Sequence, residues 1–74
     1  MPELPRISGP DAIKVFGLLG FSVARQRGSH AVLRRGNAGC VIPVHKELAV
    51  GTLRSAIRQA KITPEDFVKA YEGR

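Results

Sequence analysis

The chain has one cysteine, no tryptophan, one tyrosine and two histidines in 74 residues. A lone cysteine forms no internal disulfide, and with only two histidines it makes a poor structural zinc site. Such sparing cysteine use fits a reducing cytoplasm. The flanks of Cys40, "GCVIPV", read as a buried strand, which makes Cys40 a small core hydrophobe. Aromatic residues are 5% of the chain, too few for the stacked-base platforms of single-strand binders. No apolar run approaches the roughly 20 residues of a membrane span. The start "MPELPRISG" lacks the apolar core of a signal peptide. The expectation is a soluble, cytoplasmic protein with no membrane partner. A phosphate-cradling P-loop, H-E-x-x-H, G-x-S-x-G and an EF-hand loop are missing as well. Neither a metal nor a cofactor is therefore expected.

Acidic residues are absent from one long interval. Between Asp11 and Glu47 there are none, while Lys14, Arg25, Arg27, Arg34, Arg35 and Lys46 all fall there. Over the whole chain, 12 Lys and Arg face 6 Asp and Glu, a net charge of +6. A block of one sign builds a local field that attracts polyanions. Nucleic acid is the first candidate partner and an acidic protein surface the second. The plain alternative is a well-solvated basic surface with no partner. A chain this short makes one domain, residues 1–74, and buries only roughly 60% of its unfolded surface. Function is expected on an exposed face or in a shallow cleft.

Local patterns give an element order. The first seven residues, with two prolines, read as an irregular lead-in. Ser8 and Asp11 have the spacing of a helix N-cap with an acidic group near the positive end of the dipole. In "DAIKVFGLLG", Ala12, Ile13, Phe16 and Leu19 form a helical stripe that Gly20 ends. Gly17 inside it either weakens the helix by about 1 kcal/mol or allows close packing. "FSVARQR" alternates with period two. Gly28-Ser29 reads as a tight turn, "HAVLRR" as a second strand, "GNAG" at 36–39 as a second turn and "CVIPV" as a third strand. Pro43 makes that last strand an edge, or ends it. "VGTLRSAIRQA" returns to helical spacing through Val50, Leu53, Ile57 and Ala60, with Arg54, Arg58 and Lys61 on another side. Thr63 then caps a short helix that begins at Pro64, with Asp66 three residues after the cap. Phe67, Val68 and Tyr71 dock it. The expected fold is α+β: a helix, a three-stranded antiparallel sheet, a second helix and a short C-terminal helix.

Which parity of the second strand faces the helices is open at this level. Leu33 favours its own set inward, with Ala31 and Arg35. That leaves His30, Val32 and Arg34 on the uncovered face. A bulge near the turn would reverse the assignment at His30.

The stretch "RQRGSHAVLRR" sets His30 between two pairs of arginines. Histidine lends or takes a proton near neutrality. RNA carries its own nucleophile, the 2′-hydroxyl, so cleavage needs a positioned base, an acid for the leaving 5′-oxygen and charge stabilisation at phosphorus. Arginines supply the last of these. Against this stands the ordinary reading of a histidine beside a turn, a surface residue or one fixed by a backbone hydrogen bond. His45, in "PVHKE", has a similar claim, and its side of the sheet is open. Ser29 and His30 are adjacent and, on a strand, point to opposite faces, so a Ser-His relay through that pair is not expected.

Four stretches together resemble the HicA-type toxins, RNA-cleaving partners of HicB-type antitoxins. They are "LPRISGPDAIKVF", "LLGFSVARQRGSHAVLR", "VIPVHKEL" and "VGTLRSAIRQAKIT". Gly-Ser-His, then Pro-Val-His, then Gly-Thr-Leu-Arg in this order carry the likeness, which spans almost the whole chain. Lys61 stands where the family commonly has glycine. The resemblance implies a fold like double-stranded RNA-binding domains and metal-independent mRNA interferase activity with His30 catalytic. It also implies neutralisation by a HicB-type antitoxin. Arg25, Arg27, Arg34 and Lys46, with the Gly28-Ser29 turn, are the candidates for RNA contact. The alternative function is a non-catalytic double-stranded RNA-binding module, which reads phosphates and 2′-hydroxyls across a minor groove.

Overall fold

Ser8 starts the first helix. Its Oγ accepts a hydrogen bond from the Asp11 backbone N–H at 3.1 Å, which satisfies a donor the helix itself leaves open. Helix α1 spans Gly9–Leu18 and closes at Gly20, whose φ of 96° few other residues tolerate. The computed structural model describes residues 3–73. Met1 and Pro2 of the lead-in, and Arg74, lie outside the described residues. The rest of the lead-in has no regular structure, yet it buries Leu4 and Ile7. The Ile7 carbonyl accepts from the Leu48 N–H at 2.8 Å.

Three strands follow: β1 Ser22–Arg27, β2 His30–Arg35 and β3 Ala38–Pro43. They pair antiparallel in the order β1-β2-β3. Both connections are two-residue turns, Gly28-Ser29 and Gly36-Asn37. In each, only the first residue has positive φ, 55° and 59°, the pattern of a type II′ turn. The second turn is tighter than the four-residue "GNAG" suggests. Arg35 pairs directly with Ala38, so Ala38 and Gly39 join the ladder and β3 starts two residues early.

Helix α2 spans Val50–Gln59 and helix α3 Pro64–Gly73. Helix α3 opens on a reciprocal capping box. The Asp66 N–H donates to Thr63 Oγ1 at 3.0 Å, and the Thr63 N–H donates to Asp66 Oδ2 at 3.2 Å.

The helices pack on one face of the sheet over an apolar core. Ala12, Val15 and Phe16 of α1 meet Leu33, Cys40 and Ile42 of the sheet, with Leu53, Ala56 and Ile57 of α2 and Phe67 of α3. Val15 takes a central place in α1, while Ile13 and Leu19 are only partly buried. Phe16 is the hub, with ring centroids 5.4 Å from Phe21 and 5.3 Å from Phe67. Tilted and edge-on pairs at this spacing add about 0.5–1.5 kcal/mol beyond area burial. Gly17 is exposed with nothing within 4 Å of the place a Cβ would take, so it serves no close packing.

Strand β1 departs from simple alternation. The register slips between Val23 and Arg25, leaving Ala24 as a bulge. Phe21 is buried just before the strand, but all six residues of β1 are exposed. Val23 stands opposite Leu33 on the helix side and is still 47% exposed. The helices therefore cover β2 and β3 and leave β1 projecting as a free flank.

Candidate active site

The burial of β2 settles the parity. Ala31 and Leu33 are buried, whereas His30 and Arg34 are exposed and Val32 half-buried. His30, Val32 and Arg34 thus lie on the face away from the helices. No reversal occurs at His30, because the bulge lies in β1 and not at the turn.

Directly opposed residues in an antiparallel pair share a face. Arg27 stands opposite His30 and Arg25 opposite Val32, which puts both arginines on the open face with the histidine. The bulge matters here. Without Ala24 as an extra residue, a strand that keeps Arg25 and Arg27 outward would also turn Val23 outward. With it, Val23 faces in and Ser22, opposite Arg34, faces out. Cβ atoms of opposed residues are about 4.5–5.5 Å apart, so the Arg27 guanidinium and the His30 imidazole reach one bound group.

The other predicted residues divide by position. Gly28 and Ser29 form the turn between Arg27 and His30, at the mouth of the hairpin. The Gln26 side chain donates from Nε2 to the Gly28 carbonyl at 3.3 Å. Arg34 shares the open face but lies four residues along the strand, about 13 Å from His30, opposite Ser22 and Gly39. It belongs to the far end of the sheet. Lys46 is exposed in the loop after β3, at the same end as His30.

Arg35 has a different task. Its Nη1 donates to the Leu19 carbonyl at 2.7 Å, and its guanidinium carbon sits 4.8 Å from the centroid of the Phe21 ring. It fastens β2 to the corner between α1 and β1 through a hydrogen bond and a cation–π contact. The positive block in the sequence is therefore split between a free face and a structural clamp.

The loop bearing His45 is tied to the turn bearing His30. The Val44 N–H donates to the Ser29 carbonyl at 2.6 Å, one rung beyond the last ladder pair, His30 with Pro43. The Gly9 N–H donates to the His45 carbonyl at 2.8 Å. Gly9 is required there. A Cβ on it would stand 2.1 Å from the Pro43 carbonyl oxygen and 2.9 Å from the Val44 Cα. The start of α1, the first hairpin turn and the loop after β3 are thus stitched together by backbone contacts. The positive end of the α1 dipole also lies here, and it favours anions.

Sequence patterns give Gly9 no role of its own beside the helix cap. Its signal is the run Ser-Gly-Pro, in which a glycine follows the cap where most helices tolerate any small residue. The bulge at Ala24 has no such signal, since alanine marks neither a turn nor a break.

Among the described residues, no three His, Cys, Asp or Glu side chains cluster as a metal-ligand set. No helix among them is long and apolar enough to cross a membrane. The chain matches a known family over most of its length. Residues 9–62 fit the family described as HicA toxin of bacterial toxin-antitoxin. No curated protein matches the chain. The matched span runs from the glycine that locks the His45 loop to three residues past the end of α2, and so contains every candidate residue named above.

Proposed function

This chain belongs to the HicA toxin family and is the toxin of a toxin-antitoxin system, and on that premise we propose that it is an endoribonuclease that cleaves mRNA without a metal. His30 is its catalytic histidine. The observation that carries this reading is the exposed His30 at the mouth of a hairpin, with Arg27 directly opposite and Arg25 beside it on one uncovered face.

The chemistry follows from those groups. The substrate supplies the nucleophile as its own 2′-hydroxyl, so the protein has to move protons and hold charge. His30 exchanges a proton with a substrate oxygen, a contribution of roughly 10²–10⁴-fold. Arg25 and Arg27 hold the phosphate and offset the charge that grows on its oxygens. Gly28 and Ser29 let the RNA backbone approach closely, because the turn carries no bulky side chain. Lys46 adds a contact from the neighbouring loop. The antitoxin partner is of the HicB type, and it silences the toxin by covering this face.

The test uses purified protein and a single-stranded RNA in EDTA. Wild type is expected to cleave. His30→Ala is expected to fall at least 100-fold while keeping its circular dichroism spectrum, because His30 is exposed and packs no core. Equal cleavage by both proteins sinks the assignment. Binding of a double-stranded RNA by wild type, with no cleavage of either RNA, supports the alternative of a passive double-stranded RNA-binding module.

A further inference from the structure

Cleavage through a 2′-hydroxyl needs two proton transfers, and His30 supplies one. We infer that His45 is the second proton-transfer group of the same site. The inference rests on the RNA-cleaving function proposed above.

The placement comes from the ladder. His30 pairs with Pro43, and the Val44 N–H to Ser29 carbonyl bond carries the pairing one rung further. His45 is the next residue along, beside the Gly28-Ser29 turn. Burial falls off along this stretch. Ile42 is buried, Pro43 and Val44 half-buried, and His45 exposed. The backbone carries the parity of the strand onward, since the Pro43 and His45 carbonyls both point outward from β3 toward Gly9. His45 therefore lies on the open face as the diagonal neighbour of His30. Diagonal neighbours in antiparallel pairs are about 7–8 Å apart. That gap fits one phosphate between two imidazoles, each within hydrogen-bond reach of a different oxygen.

The loop is also rigid where it needs to be. Gly9 holds the His45 carbonyl at 2.8 Å and leaves no room for a Cβ of its own. The His45 side chain takes no part in these bonds and stays free. Nearby Glu47 is turned to Arg6 at 3.4 Å, which leaves no carboxylate of this loop directed at the site. Gly28, in the turn two residues before His30, has no side chain to crowd that imidazole, and nothing lies within 4 Å of where its Cβ would stand.

The step balances without any further reactant. One histidine, neutral, takes the proton of the 2′-hydroxyl. The 2′-oxygen bonds to phosphorus, and the bond from phosphorus to the 5′-oxygen breaks. The other histidine, protonated, gives its proton to that 5′-oxygen. The products are a 2′,3′-cyclic phosphate and a 5′-hydroxyl.

The experiment compares wild type, His30→Ala, His45→Ala and Lys46→Ala on two RNAs of one sequence. One RNA has the ordinary 5′-oxygen at the scissile linkage, the other a 5′-sulfur, which leaves without a proton. His45→Ala is expected to cleave the oxygen substrate at least 100-fold more slowly, with RNA affinity within threefold of wild type. Of His30→Ala and His45→Ala, one is expected to recover most of its rate on the sulfur substrate. The one that recovers has lost the acid. His45→Ala cleaving the oxygen substrate within threefold of wild type overturns the inference, as does a loss explained by weaker binding. Rescue of Lys46→Ala in place of either histidine variant overturns it too. Failure of wild type to cleave either RNA defeats the proposed function itself, a different outcome from any of these.

Discussion

Cys40 shows how a single buried side chain ties stability to pH. Burial pushes its thiol from 9.0 up to about 11, because the thiolate loses its hydration inside the core. As pH rises, the unfolded thiol gives up its proton first. Between pH 9 and 11 the folded state holds more protons, so stability falls across that window and is unaffected below it. The effect is on the order of 2–3 kcal/mol by pH 11. Urea titrations of wild type and Cys40→Ala at a series of pH values should show a steeper decline for wild type above pH 9. Parallel slopes would refute it. Gly9 is the second position at this scale. Gly9→Ala forces a methyl group into the Pro43 carbonyl, and is expected to cost about 1–3 kcal/mol by overpacking. Denaturant midpoints read this directly. Gly9→Ala should also slow RNA cleavage more than its stability loss explains, because the His45 loop must shift to admit the methyl.

At the scale of elements, the end of α2 carries avoidable strain. Lys61 has φ of 61°, a left-handed conformation at the position after the helix where glycine is favoured. Lys61→Gly should stabilise the fold by about 0.5–1 kcal/mol, the relief of strain exceeding the entropy lost by glycine. Thermal unfolding should show a raised Tm, and a lowered one would mean that Lys61 makes a contact worth more than the strain. The helices and strands were largely legible in the sequence for local reasons. Ser8, Thr63 with Asp66, Gly20 and the two turn glycines act within a few residues of themselves, and such signals are written in order along the chain. The bulge in β1 was not legible, since nothing about Ala24 differs from its neighbours. Its effect is to let β1 present two arginines outward after the bulge and Val23 inward before it, opposite Leu33. The grouping of the candidate site was legible in part for the same reason. His30 and the arginines of β1 lie close in sequence, so one hairpin brings them together. The meeting of Gly9 with Pro43–His45 joins segments far apart in sequence, and no local pattern announces it.

At the scale of the molecule, positive charge is spread unevenly over the two layers. The open face of the sheet holds Arg25, Arg27 and Arg34, while Arg35 is engaged on the other side. On the proposed function, RNA binding to this face would release counterions, so affinity should fall steeply with salt. Removing Arg25 and Arg27 together should reduce the slope of log K against log salt by about 1–2, at roughly 0.7 for each phosphate of a single strand that is no longer neutralised. Fluorescence anisotropy of a labelled RNA bound to the His30→Ala protein, across a salt series, measures this without cleavage. Arg35→Ala should leave that slope unchanged and lower the unfolding midpoint instead. An unchanged slope in the double variant would move the binding surface elsewhere.

The Arg35 clamp has a bearing on genetics. Colonies that survive induction of a toxin are commonly sequenced to map its catalytic centre. Here such survivors will include changes at Arg35, because loosening β2 from the Leu19–Phe21 corner lowers the amount of folded protein. They will look like active-site mutants beside any at His30, the proposed catalytic residue, although the Arg35 guanidinium is engaged with Leu19 and Phe21. Soluble yield, scored colony by colony, sorts the two groups.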